Sequence, residues 1–223
     1  METPSTSHIT PAEFDEVYEP SEDSFLLLDA LEKDMEVIRA NKPLVCAELG
    51  SGSGIIITAL SKLVESNSHC IAVDISKIAC GVTKRTAIAN KTHVDCLNMN
   101  LLSSIKDHSV DLLVFNPPYV PSRLDKDTEE RQLEQESVGA SSDNLIRTWA
   151  GGVNGREVID KVVEEIDRVL APHGTFYLLL LKENKPNEII GDLKKRQFRA
   201  EIFMERRIIG EHLVILKIVK AGL

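Results

Sequence analysis

The chain has 223 residues, a formal net charge of −9, 43% hydrophobic and 27% charged residues. This is ample for one α/β domain with a full core, and the balance is that of a globular protein rather than a disordered one. The acidic excess argues against extensive phosphate contact, so no nucleic-acid partner is expected, and no apolar run is long enough to span a bilayer, so no membrane partner is expected either.

Residues 1–16 are polar and acidic, without the apolar stretch of a signal peptide, and read as a flexible tail. Ser21 is a candidate N-cap, with Glu22 and Asp23 in the first helical turn. Phe25, Leu28, Leu31, Met35 and Ile38 recur at helical spacing, which predicts one amphipathic helix over 21–40. A buried strand over 44–49 leads through a glycine-rich turn into a helix over 53–64. A strand over 70–74, a helix over 76–90 capped by Ser76, and strands over 94–99 and 110–115 follow. A helix over 155–170 is ended by Pro172 and Gly174. The strand over 175–181 is wholly apolar and hence central. After a helix over 187–195, segments 199–205 and 212–219 read as a hairpin around Gly210.

This alternation predicts one α/β domain over 17–223, with a mostly parallel sheet, helices on both faces and an antiparallel C-terminal hairpin. Residues 121–148 are polar, charge-dense and without periodicity; they read as a mobile lid or a disordered insert. Cys46, Cys70, Cys80 and Cys96 are scattered, which fits reduced and mostly buried thiols in a cytosolic or nuclear protein. The six histidines share no ligand spacing, so no metal site is expected.

Two motifs carry chemistry. Asn116-Pro117-Pro118-Tyr119 ends the apolar run over 110–115, because two prolines cannot donate to a sheet ladder. Standing alone it would read as ordinary loop punctuation. An Asn carboxamide oxygen beside a proline carbonyl can, however, each accept one hydrogen of a planar NH2 group, and an aromatic ring can stack on it. Such a site suits an amide or exocyclic amine nitrogen.

The second motif is Glu48-Leu49-Gly50-Ser51-Gly52-Ser53-Gly54, a glycine-rich turn between strand and helix. Asp74 closes the next strand at the distance expected for a carboxylate that binds ribose hydroxyls, although a lone Asp there is more often a helix cap. A dinucleotide loop wants G-x-G-x-x-G, whereas this chain has G-x-G-x-G with Glu48 ahead of it. A carboxylate there repels a pyrophosphate but can accept from an ammonium. S-adenosyl-L-methionine, with an ammonium, a ribose and no phosphate, fits these residues better.

Taken together, these motifs resemble the signature of class I, seven-stranded, S-adenosylmethionine-dependent N-methyltransferases. More narrowly, the chain resembles the HemK-type release-factor glutamine N5-methyltransferases of the short eukaryotic branch. The matching stretches run over 17–31, 111–120, 149–158 and 182–184, so the resemblance covers nearly everything from Val17 onward. It implies S-adenosyl-L-methionine as cofactor, with Tyr18 and Pro20 covering its pocket and Ser24, Glu48, Gly50, Gly52, Asp74, Ile75, Asn100, Leu101 and Asn116 lining it. Asn100 stands where the family commonly has an Asp that accepts from the adenine amine; an Asn oxygen can still accept. The resemblance also implies that Asn116 and the Pro117 carbonyl hold the substrate amide, with Pro118 stiffening the turn and Tyr119 packing on the amide.

The implied substrate is the glutamine of the Gly-Gly-Gln motif in the eukaryotic release factor, and lysine methylation of histone H4 is also associated with this branch. The implied partner is a small zinc-binding activator subunit, forming a heterodimer; any zinc belongs to that partner. One rival is a nucleic-acid adenine or guanine N-methyltransferase, against which the acidity and the lack of a basic domain count. The other is a non-catalytic module on the same fold, against which the complete motifs count.

Overall fold

The computed structural model describes residues 1–64, 67–121 and 151–222. A seven-stranded sheet runs through the molecule in the order β3-β2-β1-β4-β5-β7-β6, with β1 Val45–Leu49, β2 His69–Asp74, β3 Asp95–Asn98, β4 Val110–Phe115, β5 Leu170–Leu181, β6 Phe198–Ile208 and β7 Glu211–Lys220. The first five strands pair in parallel, while β7 runs antiparallel to both β5 and β6. The helices are α1 Glu22–Lys33, α2 Met35–Asn41, α3 Ile55–Leu63, α4 Lys77–Ala89, α5 Glu157–Val169 and α6 Pro186–Lys195. This is the expected class I architecture: β1, β4 and β5 are buried almost throughout, as strands covered on both faces must be. No described helix is long and apolar enough to cross a membrane.

The strand order reverses between β1 and β4. In a doubly wound sheet the connections leaving two such strands diverge to opposite faces, opening a crevice at the carboxyl ends. Register makes this concrete: Leu49 pairs with Val73 on one side and with Phe115 on the other. Asp74, Gly50 and Asn116 are therefore the next residues out, side by side. Both sequence motifs converge on one sheet end.

Several elements differ from the sequence expectation. The single helix over 21–40 is two helices, broken at Asp34, whose backbone leaves the helical region. Asp34 is buried, and its carboxylate takes the Tyr177 hydroxyl and the Lys217 ammonium; a bonded pair from the sheet turns the chain there. Of the expected apolar face, Leu28, Leu31 and Ile38 are buried, Met35 is half-buried and Phe25 is 38% exposed, while Leu26, Leu27 and Ala30 widen the buried face. The expected helix over 155–170 begins only at Glu157, because Gly155 has a φ of +68° that no helix accommodates.

Residues 1–16, expected as a flexible tail, lie in turns against α4. Ile9 and Val17 are buried with Ala79 and Val82, and Phe14 packs beside them. Thr86 bonds His8 and Asn90 bonds Ser5. Burial of a few scattered apolar side chains is invisible to a composition-based reading. The expected lid over 121–148 falls, but for Pro121, outside the described residues.

Candidate active site

The glycine turn fills the space above β1. Gly50, Gly52 and Gly54 have φ values of +62°, +48° and +77°, which only glycine adopts without strain. A Cβ on Gly54 would stand 2.7 Å from the Thr83 backbone, so that glycine is required by packing on α4. A Cβ on Gly50 or Gly52 would meet nothing nearer than 3.6 Å and 3.9 Å respectively. The exposed turn over these two residues is a cradle open to a ligand rather than to other protein atoms.

Two acids flank it. Asp74 is 9% exposed; its Oδ2 accepts from Gly52 N–H at 3.0 Å and its Oδ1 from Ser76 N–H at 2.8 Å. The Ile75 N–H also bonds this carboxylate, and with about four acceptor sites it keeps capacity for a ribose hydroxyl. Burial raises the Asp74 pKa, and the backbone donors oppose that rise. Glu48 also holds the start of α3. It is 1% exposed, and its Oε2 accepts from Ile57 N–H at 2.8 Å, capping the first turn of α3. Burial pushes its pKa well up.

Asn116 lies across the crevice. Its Nδ2 donates to Asp23 Oδ2 at 3.0 Å, and the Tyr119 hydroxyl donates to the same oxygen at 3.0 Å. The Asn116 Oδ1 is buried and has no partner among the described residues. A buried acceptor left unpaired costs about 1–3 kcal/mol, so this atom is either strained or waiting for a donor. Burial, followed by the Asp23 charge, holds the Tyr119 phenol far above its ordinary pKa, so it stays a donor. The same pair of causes raises the Tyr18 phenol, which Asp23, Ser21 and Tyr119 all contact. Pro117 is buried, and Pro118 is half-buried.

The tetrapeptide is braced from behind. Asn184 is fully buried: its Nδ2 donates to the Tyr119 and Asn154 carbonyls, each at 2.9 Å, and its Oδ1 accepts from Leu181 N–H at 2.6 Å. A Cβ on Gly151 would press on the Pro118 carbonyl at 2.5 Å, and one on Gly155 would overlap the Tyr119 carbonyl. Only glycine lets the 151–155 segment lie flat against the tetrapeptide.

The remaining expected residues fall around the same crevice. Tyr18 is half-buried beside Gly52, followed by the half-buried Pro20. Ser24 is buried and gives both its N–H and its hydroxyl to Asp23 Oδ1. Ile75 is 75% exposed beyond β2. Asn100 is exposed just past β3, next to Leu101, whose φ of +47° marks a tight turn. That turn is tied to Asp74 by Met99 N–H and the Asn98 side chain, which both donate to the Asp74 carbonyl at 3.1 Å.

Comparison with known proteins agrees with this geometry. The model of the methyltransferase small domain matches residues 21–144. The human methyltransferase HEMK2 is 36% identical over 98% of this chain and 97% of its own length. The catalytic subunit mtq2 of the eRF1 methyltransferase of Schizosaccharomyces pombe is 34% identical over 100% and 97%. The chain belongs to the HemK-type methyltransferases of the small-domain family. A solved structure of the E. cuniculi Mtq2–Trm112 complex, described as responsible for methylating the eRF1 termination factor, superposes with a TM-score of 0.68 at 30% identity, covering 92% of this chain and 99% of that one.

Two residues of this HemK-type site escaped the sequence reading. Asp23 read only as an acid in a helical first turn. The available signal was its phase: it shares a helix face with the buried Leu27, Ala30 and Leu31, and a carboxylate on an apolar face needs a partner. Asn184 stood in a matched stretch, but nothing local to it shows that it reaches Tyr119.

Proposed function

We propose that this chain is the catalytic subunit of an S-adenosylmethionine-dependent protein N5-glutamine methyltransferase acting on the Gly-Gly-Gln motif of the eukaryotic release factor. The observation that carries this reading is the buried Asn116 Oδ1, which has no partner among the described residues and is held at the sheet end beside the glycine cradle. An acceptor of that kind fits a donor NH2 group.

The residues present fit the cofactor. The Gly50–Gly52 cradle lies open, Asp74 keeps acceptor capacity for ribose hydroxyls, and Tyr18, 3.9 Å from where a Cβ on Gly52 would stand, would cover the cradle together with Pro20. Ile75, Asn100 and Leu101 flank the end where an adenine would lie. When bound, S-adenosylmethionine supplies a methyl group on a sulfonium, electrophilic enough for a weak nucleophile.

A glutamine amide nitrogen is such a nucleophile, because its lone pair is delocalised into the carbonyl. Asn116 Oδ1 and the Pro117 carbonyl would accept its two N–H hydrogens, turning the nitrogen toward the cradle. They would also favour the positive charge that grows on that nitrogen, from groups already in place. Tyr119, pinned at its hydroxyl, forms a fixed wall. No general base is required, since the methylated nitrogen is acidic and loses its proton afterwards. Positioning supplies much of the rate.

A small zinc-binding activator completes the proposed enzyme. We infer that it covers the apolar surface beside the β3 edge, where Ile78 and Leu97 lie 46% and 38% exposed. The opposite edge, β6, carries Arg199, Glu201, Glu205 and Arg207 and is blunted by charge.

Asn116→Ala tests the reading. Methyl transfer to purified release factor, measured with labelled cofactor, should fall about 10²-fold or more, with cofactor affinity by calorimetry nearly unchanged. Lost cofactor affinity with transfer retained would sink the assignment.

A further inference from the structure

A carboxamide has one end that accepts and one that donates, and only one of its two orientations makes the Asn116 pocket a receiver of N–H groups. Asp23 decides which. It is 3% exposed. Its Oδ1 accepts from Ser24 N–H at 2.6 Å and the Ser24 hydroxyl at 3.3 Å; its Oδ2 accepts from Asn116 Nδ2 and the Tyr119 hydroxyl, both at 3.0 Å. A carboxylate has no proton to give. Asn116 must therefore turn its NH2 toward Asp23 and its oxygen away, and that oxygen is buried with no partner among the described residues.

We propose that Asp23 is a positioning residue that sets the polarity of the acceptor pocket, locking Asn116 with its oxygen toward the substrate nitrogen. This rests on the reading of Asn116 as the substrate clamp. It goes further in making pocket selectivity the property of a residue that touches no substrate. The plainer alternative is that Asp23 merely anchors α1, a task an isosteric amide would do nearly as well.

The two differ sharply for Asp23→Asn. Ser24 N–H demands an oxygen at the Oδ1 position, so the new amide nitrogen takes the Oδ2 position. There it faces Asn116 Nδ2, donor against donor. Asn116 then turns over and presents NH2 to the pocket, while Tyr119 rotates its hydroxyl hydrogen and accepts. Asn116→Asp alone sets two carboxylates against each other. Combining the two restores a matched pair: the introduced amide nitrogen donates to the introduced carboxylate, whose other oxygen again faces the substrate.

The full-length chain with its activator is assayed with labelled cofactor and purified release factor. Asp23→Asn should lower kcat about 10²-fold, leaving cofactor affinity and melting temperature close to wild type. The double variant should exceed each single variant about tenfold, an increment of about 1.4 kcal/mol in barrier. Near-wild-type kcat in Asp23→Asn, or a double variant no better than Asn116→Asp, would overturn the polarity lock; the second comparison holds even if Asp23→Asn folds poorly. A nitrogen-15 spectrum of the free chain separates this from the functional reading. The Asn116 side-chain NH2 should be protected from exchange in wild type and lose protection in Asp23→Asn. If wild type transfers no methyl group yet shows this change, the functional reading fails and the lock stands; if the spectrum is unchanged, the lock fails whatever the activity.

Discussion

The Asn184 side chain reaches 65 residues back along the chain to donate to the Tyr119 carbonyl at 2.9 Å. It closes a buried, fully satisfied set of three bonds behind the tetrapeptide, with Leu181 and Asn154 as its other partners. The substrate side of the loop can then hold an unpaired oxygen without collapsing, because the back is rigid.

Asn184→Ala strands the Leu181 N–H and the Tyr119 carbonyl without water access. Denaturant unfolding should show a loss of about 2–4 kcal/mol from two buried unsatisfied groups. Asn184→Asp should be no better: it keeps the acceptor for Leu181 but sets oxygens against two carbonyls.

Gly155 and Gly210 separate backbone strain from contact. Both have positive φ, +68° and +85°, but a Cβ at Gly210 meets nothing within 4 Å whereas one at Gly155 overlaps the Tyr119 carbonyl. Gly210→Ala should cost about 1–2 kcal/mol from the left-handed backbone alone. Gly155→Ala adds the displacement of the tetrapeptide, about 2–5 kcal/mol in all, and should abolish methyl transfer. Thermal melts and a transfer assay of the two variants check this.

Glu48 makes stability depend on pH. Burial, the largest influence, raises its carboxyl well above the ordinary value of 4.5; Ile57 N–H opposes the rise and the Asp74 charge adds to it. The folded state therefore holds a proton that the unfolded chain has released. Stability falls as pH climbs from the ordinary glutamate range to the raised folded value, then levels. Glu48→Gln keeps an acceptor for Ile57 and has nothing to titrate. Its stability relative to wild type should rise with pH across that window in urea melts taken at a series of pH values; a constant difference would contradict the assignment.

Ile9 fastens the N-terminal segment to α4 through Ala79, Val82 and Val17. Ile9→Ala should cost about 2 kcal/mol, the lower end for a buried Ile truncation because the site lies near the surface. Tyr18 follows Val17 directly and lies beside Gly52, so cofactor titration should also show weakened binding. An unchanged cofactor affinity would mean that Tyr18 is positioned by Asp23 and Tyr119 alone.

Much of this site was legible before any coordinates. Strand ends and turns are local events: Pro117 and Pro118 cannot continue a ladder, and three alternating glycines supply the left-handed backbone that a cradle needs. What escaped was orientation. Helical spacing placed Phe25 with Leu28, Leu31 and Ile38 on the buried face, yet Phe25 is exposed and Leu26 and Leu27 pack instead. The break at Asp34 comes from Tyr177 and Lys217, which no window around residue 34 contains.

The sequence by itself determined the alternation of strands and helices, the ends of β1, β2 and β4, and the residue types at those ends, because backbone sterics, capping and apolar periodicity act over a few residues. Only the tertiary structure decided that Asp74, Gly50 and Asn116 stand in one row and that Asp23 holds Asn116 across 93 residues of chain. Strand order is settled by which faces bury together, and a hydrogen-bond partner by where the fold brings a donor. Neither leaves a trace in local spacing.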